Sequence, residues 1–422
     1  MVPGGGFDPP LNSYPFLKKI FDSMTQQITN KRILKIALPM VISNATIPIL
    51  GATDTGVIGQ LGDPGLLASV GVGAITISVI YWIFGFLRMG TTGLVAQARG
   101  SGDQSEVFSS LIRGVLIGFS AGITLLLLQI PLFWLALNLF QALPEVEAQA
   151  QTYLEIRIWS APLSISNFAV LGWLIALEKT GHVLFLQVLM NCLNIILDLI
   201  FVLYLGWGIE GVAFASLIAE LSGAFLAVII VIKLYRKSGY PIISNLFSKL
   251  QWNKLFITNV NILIRSILLE VVILSYVFFG STLGTITLAT NHILLQFVHI
   301  SSYSLDGFAF SAETLVGSAY GQKSQSQIRA AAIKSTLWAV FCAIFMTLLL
   351  LTFGEKVIGM MVRDEAVLHS AQKYLFWMAI TPVTGVLSFM LDGIFIGATK
   401  TQLMRKAMIQ SFAVYVLSVV VF

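Results

Sequence analysis

The sequence predicts an all-α polytopic membrane protein built as two six-helix lobes, and three observations carry that reading. Hydrophobic residues make up 57% of the chain and charged residues 11%, with a mean hydropathy of +0.87. A water-soluble domain carries roughly 25% charged residues, so this chain is built for lipid. Its 422 residues hold about a dozen spans of ~20 apolar residues with short loops. Finally, the chain echoes itself at an offset of 221. LVAQARG at 94–100 answers LVGSAYG at 315–321, Tyr153-Leu154 answers Tyr374-Leu375, Lys179-Thr180 answers Lys400-Thr401, and Pro162 answers Pro382 one position out of step. A half-length repeat in an apolar chain is a transporter pattern, with the substrate site expected between the halves.

The elements follow in order. Residues 1–32 open with PGGGFDPP, which lacks the basic and apolar regions of a signal peptide and reads as a disordered cytoplasmic tail. Apolar helical segments are predicted at 33–60, 66–96, 106–137, 147–178, 183–205 and 210–235, forming the N-terminal lobe (33–235). A polar linker, 236–253 (RKSGYPIISNLFSKLQWN), is the longest polar connection. The C-terminal lobe (254–422) follows with segments at 254–280, 284–320, 327–355, 365–398 and 401–422. Several exceed one span and are expected to tilt, kink or protrude. Six spans per copy bring both copies in from the same side, so the pseudo-twofold axis lies along the membrane normal, as in parallel repeats. That is eleven segments where two copies of six require twelve; a twelfth span is expected to be missing by truncation, the alternative being an eleven-span variant.

Loop charges predict the orientation. Lys18, Lys19, Lys31, Arg32 and Lys35 precede the first segment. Arg99, Lys179, the Lys233–Lys254 cluster, Lys323, Arg329, Lys400, Arg405 and Lys406 flank every second loop thereafter, while the alternate loops carry little positive charge. The positive-inside rule makes the N-terminus and the linker cytoplasmic, and a bacterial inner membrane is the expected location. The net charge of +5 is therefore a topology signal and not a nucleic-acid footprint. Cys192 and Cys342 sit in apolar runs, and the four histidines share no ligand spacing, so neither a disulfide framework nor a metal site is expected.

A carboxylate in a membrane span costs ~2.5–3.5 kcal/mol on insertion scales, which makes Asp54, Asp198, Glu220, Glu270, Asp306, Glu313 and Asp392 candidates for function. Asp54 and Asp198 stand out. Each lies six or seven residues before the outer end of its segment, roughly 10 Å below the surface, so the two can share a pocket where one proton binds and leaves. Asn44, Asn191 and Asn194 are the amides placed to hydrogen-bond them. Pro39 and Pro48 remove backbone donors from the first segment and mark hinges there. In the second copy Asp306 and Glu313, seven apart, share one helix face; Arg265 is expected to pair with them, and Glu270 joins this polar network. Gly114, Gly118 and Gly122 form a small-residue packing stripe.

The runs ATDTGVIGQLGD (52–63), SYSLDGFAFSAETLVGSAYG (302–321) and LDGIFIGATKT (391–401) resemble the multidrug and toxic compound extrusion (MATE) transporters, specifically their DinF-like branch, over essentially residues 30–422. The resemblance implies two six-helix lobes around a V-shaped cleft, and cation-coupled export of small organic, often cationic or amphipathic, compounds. It also implies that Asp54 is the protonation site and Asp198 its companion in the same lobe. No cofactor is expected beyond H+ or Na+ as coupling ion, and the molecule is expected to act as a monomer. A lipid-linked oligosaccharide flippase is the alternative, though its pyrophosphate calls for a cationic cleft, and the seven intramembrane carboxylates face only Arg88, Arg157 and Arg265. No Ser/His/Asp set, HExxH or phosphate-cradling glycine loop supports an enzyme.

Overall fold

The computed structural model describes residues 27–140, 143–238, 246–362 and 364–421; most of the tail and residues 239–245 of the linker lie outside them. The N-terminal lobe contains α1 (Asn30–Gly59), α2 (Pro64–Trp82), α3 (Phe86–Ser101), α4 (Gln104–Leu127), α5 (Gln129–Phe140), α6 (Pro144–Arg157), α7 (Ala161–Ala176), α8 (Thr180–Asp198) and α9 (Gly208–Ser238). The C-terminal lobe contains α10 (Lys249–Thr282), α11 (Thr285–Gly321), α12 (Gln325–Met361), α13 (Glu365–Ala379), α14 (Thr381–Gly397) and α15 (Thr401–Val421).

Several predicted segments are broken rods. A 3₁₀ turn at Ile83–Gly85 joins α2 to α3, and another at Ile158–Ser160 joins α6 to α7. α13 and α14 meet at 43°. Two of these breaks have one cause: Pro162 and Pro382 stand in the first turns of α7 and α14, where a residue without an N–H cannot bond back to the preceding turn. α1, by contrast, runs as one α-helix through Pro39 and Pro48.

Among the described residues, eight helices or continuous rods are long and apolar enough to cross a membrane, nine if α13 and α14 count as one. This is fewer than the eleven segments predicted. α11 is not among the nine because it carries Asn291, His292, His299, Asp306 and Glu313. It can afford them because it is central: residues 307–319 are buried, wrapped by α1, α3, α12 and α14. A helix surrounded by protein need not be apolar on every face.

The repeat is visible in the backbone. Gly102, Glu178, Lys323 and Thr399 have φ of 80°, 60°, 55° and 51°, and 102/323 and 178/399 are each 221 apart. All four close a helix with the same pair of bonds. For Glu178 these run from its own N–H to the Ile175 carbonyl (2.8 Å) and from Lys179 N–H to Leu174 (2.8 Å); for Thr399 the partners are Ile396 and Phe395. This left-handed cap satisfies the last carbonyls of a helix. These caps sit together at one end of the molecule, the basic end.

The lobes interlock at that end. Gly93 lies against the Ile396 carbonyl, Gly100 against Ser318, Gly321 against Gln97, and Gly317 against Ala96, where a Cβ would collide with the facing lobe. Small residues let helix backbones approach this closely without any hydrophobic drive from lipid. Across the seam Gln97 Nε2 donates to the Gly397 carbonyl and to Thr399 Oγ1, both at 3.0 Å. Thr314 Oγ1 donates to the Ile175 carbonyl at 3.2 Å.

Two further ties cross between lobes. α1 begins in the C-terminal lobe, where Ile33, Ile36 and Ala37 pack with Leu315, Val316, Ala331 and Leu305. It finishes in the N-terminal lobe, where Val57 and Ile58 join the core of Tyr153 and Ile158. The chain leading into each lobe is also held by the other: Lys334 Nζ donates to the Ile28 carbonyl (2.7 Å), while Arg113 Nε donates to the Leu246 carbonyl (3.2 Å). Lys334 and Arg113 are 221 apart, so one device is built twice.

Candidate functional site

Asp54 comes from the last third of α1 and Asp198 from the final residue of α8, immediately before a π turn at Leu199–Tyr204. α1 packs along α8, and this contact brings the two acids together. Asp198 is fully buried and Asp54 half-buried. Asn194, one turn before Asp198, bridges them: oriented so that neither amide atom faces a like group, its Nδ2 donates to Asp198 Oδ2 at 3.1 Å and to Asp54 Oδ1 at 3.2 Å. Its oxygen then accepts from Ser216 N–H and Oγ at 3.0 and 2.9 Å. The other carboxylate oxygen of Asp198 is buried without a hydrogen-bond partner, a costly state for an ionised group and a natural place for a proton.

The other two amides do something else. Asn191 Nδ2 donates to Thr46 Oγ1 (2.8 Å) and carbonyl (3.3 Å), fastening α8 to α1 about two turns from Asp54. Asn44 Nδ2 donates to the Tyr303 carbonyl of α11 (3.1 Å), so it belongs to the contact between lobes and not to the acid pair. A side chain ten residues from Asp54 lies almost three helical turns away, too far to reach it.

Sequence reasoning left out of the pocket a second pair beside it. Arg157 Nη2 donates to Glu220 Oε1 at 2.7 Å, and Ser164 Oγ donates to Glu220 Oε2 at 2.7 Å. Arg157 is buried and within electrostatic reach of both Asp54 and Asp198. The available signal was an arginine in one apolar segment and a glutamate in another; charges in lipid-facing sequence must find each other.

The second-lobe network also departs from expectation. Arg265 forms its ion pair with Asp392, not with Glu313. Glu313 is instead paired with Arg88 of the other lobe (3.3 Å), whose guanidinium lies 4.1 Å from the Phe310 ring centroid. Asp306 lies within reach of both arginines. The reason is geometric: α3 runs against α11 at the lobe seam, and Arg88 arrives there first. Glu270 is half-buried, with the His299 imidazole within electrostatic reach. Gly114, Gly118 and Gly122 do pack as a stripe, against Ala169, Ser166 and Pro162.

With this geometry in place, comparison with known proteins decides the family. The MatE family profile matches residues 39–200 and again 262–421, one match per lobe. The chain belongs to the MatE family. DNA damage-inducible protein F of Escherichia coli (strain K12) is 36% identical over 400 residues, covering 92% of this chain and 85% of that protein. A protein of Rhizobium meliloti (strain 1021) named as a probable multidrug resistance protein NorM is 28% identical over 338 residues, covering 78% and 71%. Among solved structures, a MATE protein in its straight conformation superposes with a TM-score of 0.82 at 18% identity, covering 90% of this chain and 85% of that one. This MatE chain is therefore a multi-pass membrane transport protein and not an enzyme.

Proposed function

We propose that this protein is a secondary active multidrug exporter that exchanges a cation, H+ or Na+, for small organic, often cationic, compounds. The site is the Asp54–Asn194–Asp198 cluster, and the observation that carries the reading is its asymmetry. Asp198 is fully buried with an unpartnered carboxylate oxygen, while Asp54 is only half-buried. An ion can thus arrive through Asp54 and be held by both. Ion and organic cation compete for the same negative charge, which couples the two fluxes. Pro48 lies between the part of α1 gripped by the C-terminal lobe, which includes Pro39 and reaches Asn44, and the part that carries Asp54, where a change in bend would move Asp54 relative to Asp198. The protein works as a monomer in a bacterial inner membrane, with the basic end cytoplasmic. A flippase reading is not supported by relatives named for multidrug resistance.

The deciding experiment is export of a lipophilic cation from proteoliposomes under an imposed pH or sodium gradient. Asp54→Asn is expected to insert and fold but not export; wild-type rates in that variant would sink the proposal. Orientation is checked by labelling with an impermeant thiol reagent. From outside, a cysteine at Glu147 should react and one at Ser238 should not.

A further inference from the structure

We infer that Arg157, clamped by Glu220, is a positioning residue that makes the Asp54–Asp198 site select protons over sodium; this rests on the coupling role proposed above. The observations are independent of that role. Glu220 on α9 receives two short hydrogen bonds, from Arg157 Nη2 and Ser164 Oγ. This fixes the guanidinium in place, as a planar fork held at one tine is. Its Nε and Nη1 are buried with no hydrogen-bond partner, beside the hydroxyls of Tyr81 and Tyr153. Tyr81 is itself locked, its hydroxyl bonded to Ser160 Oγ (2.9 Å) and the Arg157 carbonyl (3.2 Å). The groups that reach the acid pair are Asn194 from α8 and Arg157 and Tyr153 from α6, while Tyr81 from α2 and Glu220 from α9 stand against Arg157.

A sodium ion needs several oxygen ligands around a bare cation. Here the one amide that touches both acids, Asn194, is also tied to Ser216. The cation within electrostatic reach of both acids is the Arg157 guanidinium. A second cation between Asp54 and Asp198 would meet the guanidinium in a low-dielectric interior, where like charges repel strongly. A proton escapes this penalty because it becomes part of a neutral carboxyl group. Glu220 is what allows an arginine to lie here at all, since an unpaired buried charge is strongly destabilising.

The test uses the full chain in proteoliposomes. Removing Arg157 alone would strand Glu220, so the informative variant is the double replacement Arg157→Gln with Glu220→Gln, which removes both charges and keeps polar groups. Its pH profile of proton-driven export is expected to move toward alkaline pH by about tenfold in proton concentration, the size of effect a lost neighbouring charge has on a carboxyl group. A sodium gradient should begin to drive export. A folded double variant with the wild-type profile and no response to sodium would overturn the inference. Should the variant not fold, the wild type decides: sodium replacing choline at constant ionic strength should leave its thermal midpoint unchanged, because only a bound ion stabilises. A sodium-dependent rise in that midpoint would also overturn it. Asp54→Asn separates the two levels. Wild-type export in that variant defeats the coupling role itself, whereas a silent Asp54→Asn beside an unshifted double variant defeats only the role of Arg157.

Discussion

At the scale of single residues, the two lobes keep contact positions and change their chemistry. Asp54 and Asn194 touch in the N-terminal lobe; their counterparts 221 residues on, Ser275 and Tyr415, touch through hydroxyls at 2.5 Å. The contact survives as packing after the charge is gone, so one lobe keeps a carboxylate where the other keeps a hydroxyl. Glu178 shows the same divergence, standing where the second copy has Thr399. It accepts from Arg32 Nη2 (2.5 Å) and Arg99 Nη1 (2.9 Å). Burial alone would raise the Glu178 carboxyl, but Arg99 and Arg32 outweigh it and hold it at about 2. The folded value is depressed, so its stabilisation is fully present above the ordinary glutamate range and fades as pH falls from there toward 2. Glu178→Gln should thus cost on the order of 2 kcal/mol at pH 7, after allowance for partial exposure of all three side chains. Thermal unfolding of both proteins in detergent at pH 7 and pH 3 checks this: the gap between midpoints should shrink at the lower pH.

At the scale of elements, packing between rods depends on where the small residues fall. Gly122 on α4 sits so near the backbone of Pro162 that a Cβ would overlap it, whereas Gly71 on α2 has open space around its Cβ position. Backbone cannot move aside as a flexible side chain can. Gly122→Ala should therefore destabilise the protein by roughly 1–3 kcal/mol. Gly71→Ala should be neutral or stabilise by a few tenths to about 1 kcal/mol, by narrowing the freedom of the unfolded chain. Unfolding midpoints of the two variants should move in different directions; equal losses would mean that α4 and α7 are not held by close backbone approach.

At the scale of the whole molecule, the lobes are joined by a polar, small-residue seam at the basic end. Such a seam can hold and still part, because beside the Arg88–Glu313 ion pair it is made of close glycine contacts and single hydrogen bonds worth about 1 kcal/mol net each. The exchange proposed above requires it to open. Cysteines at Gln97 and Thr399, introduced with Cys192 and Cys342 replaced by serine, should be joined by a short thiol-specific cross-linker and stop export; a cleavable linker should restore it. Undiminished export after complete cross-linking would show that the basic end stays shut throughout the cycle.

Much of this was legible in the sequence because lipid is an unforgiving solvent. Apolar runs, repeat offset and loop charge each report directly on burial in a bilayer, so the helices, the two copies and the family could be read from residues alone. The acids at 54 and 198 were legible for the same reason, since charge within such a run demands a purpose. Pairing was not legible. Whether Asp198 meets Asn191 or Asn194, whether Arg265 takes Glu313 or Asp392, and whether Arg157 finds Glu220 depends on helix rotation and on which rods touch, and every polar group in the interior competes for several partners at similar spacing. Nor could the sequence show α1 beginning in one lobe and ending in the other, because an amphipathic face records that it is covered but not by which lobe. Tertiary packing decided those contacts: once α3 and α1 lie against α11 at the seam, the nearest available partner takes each charge.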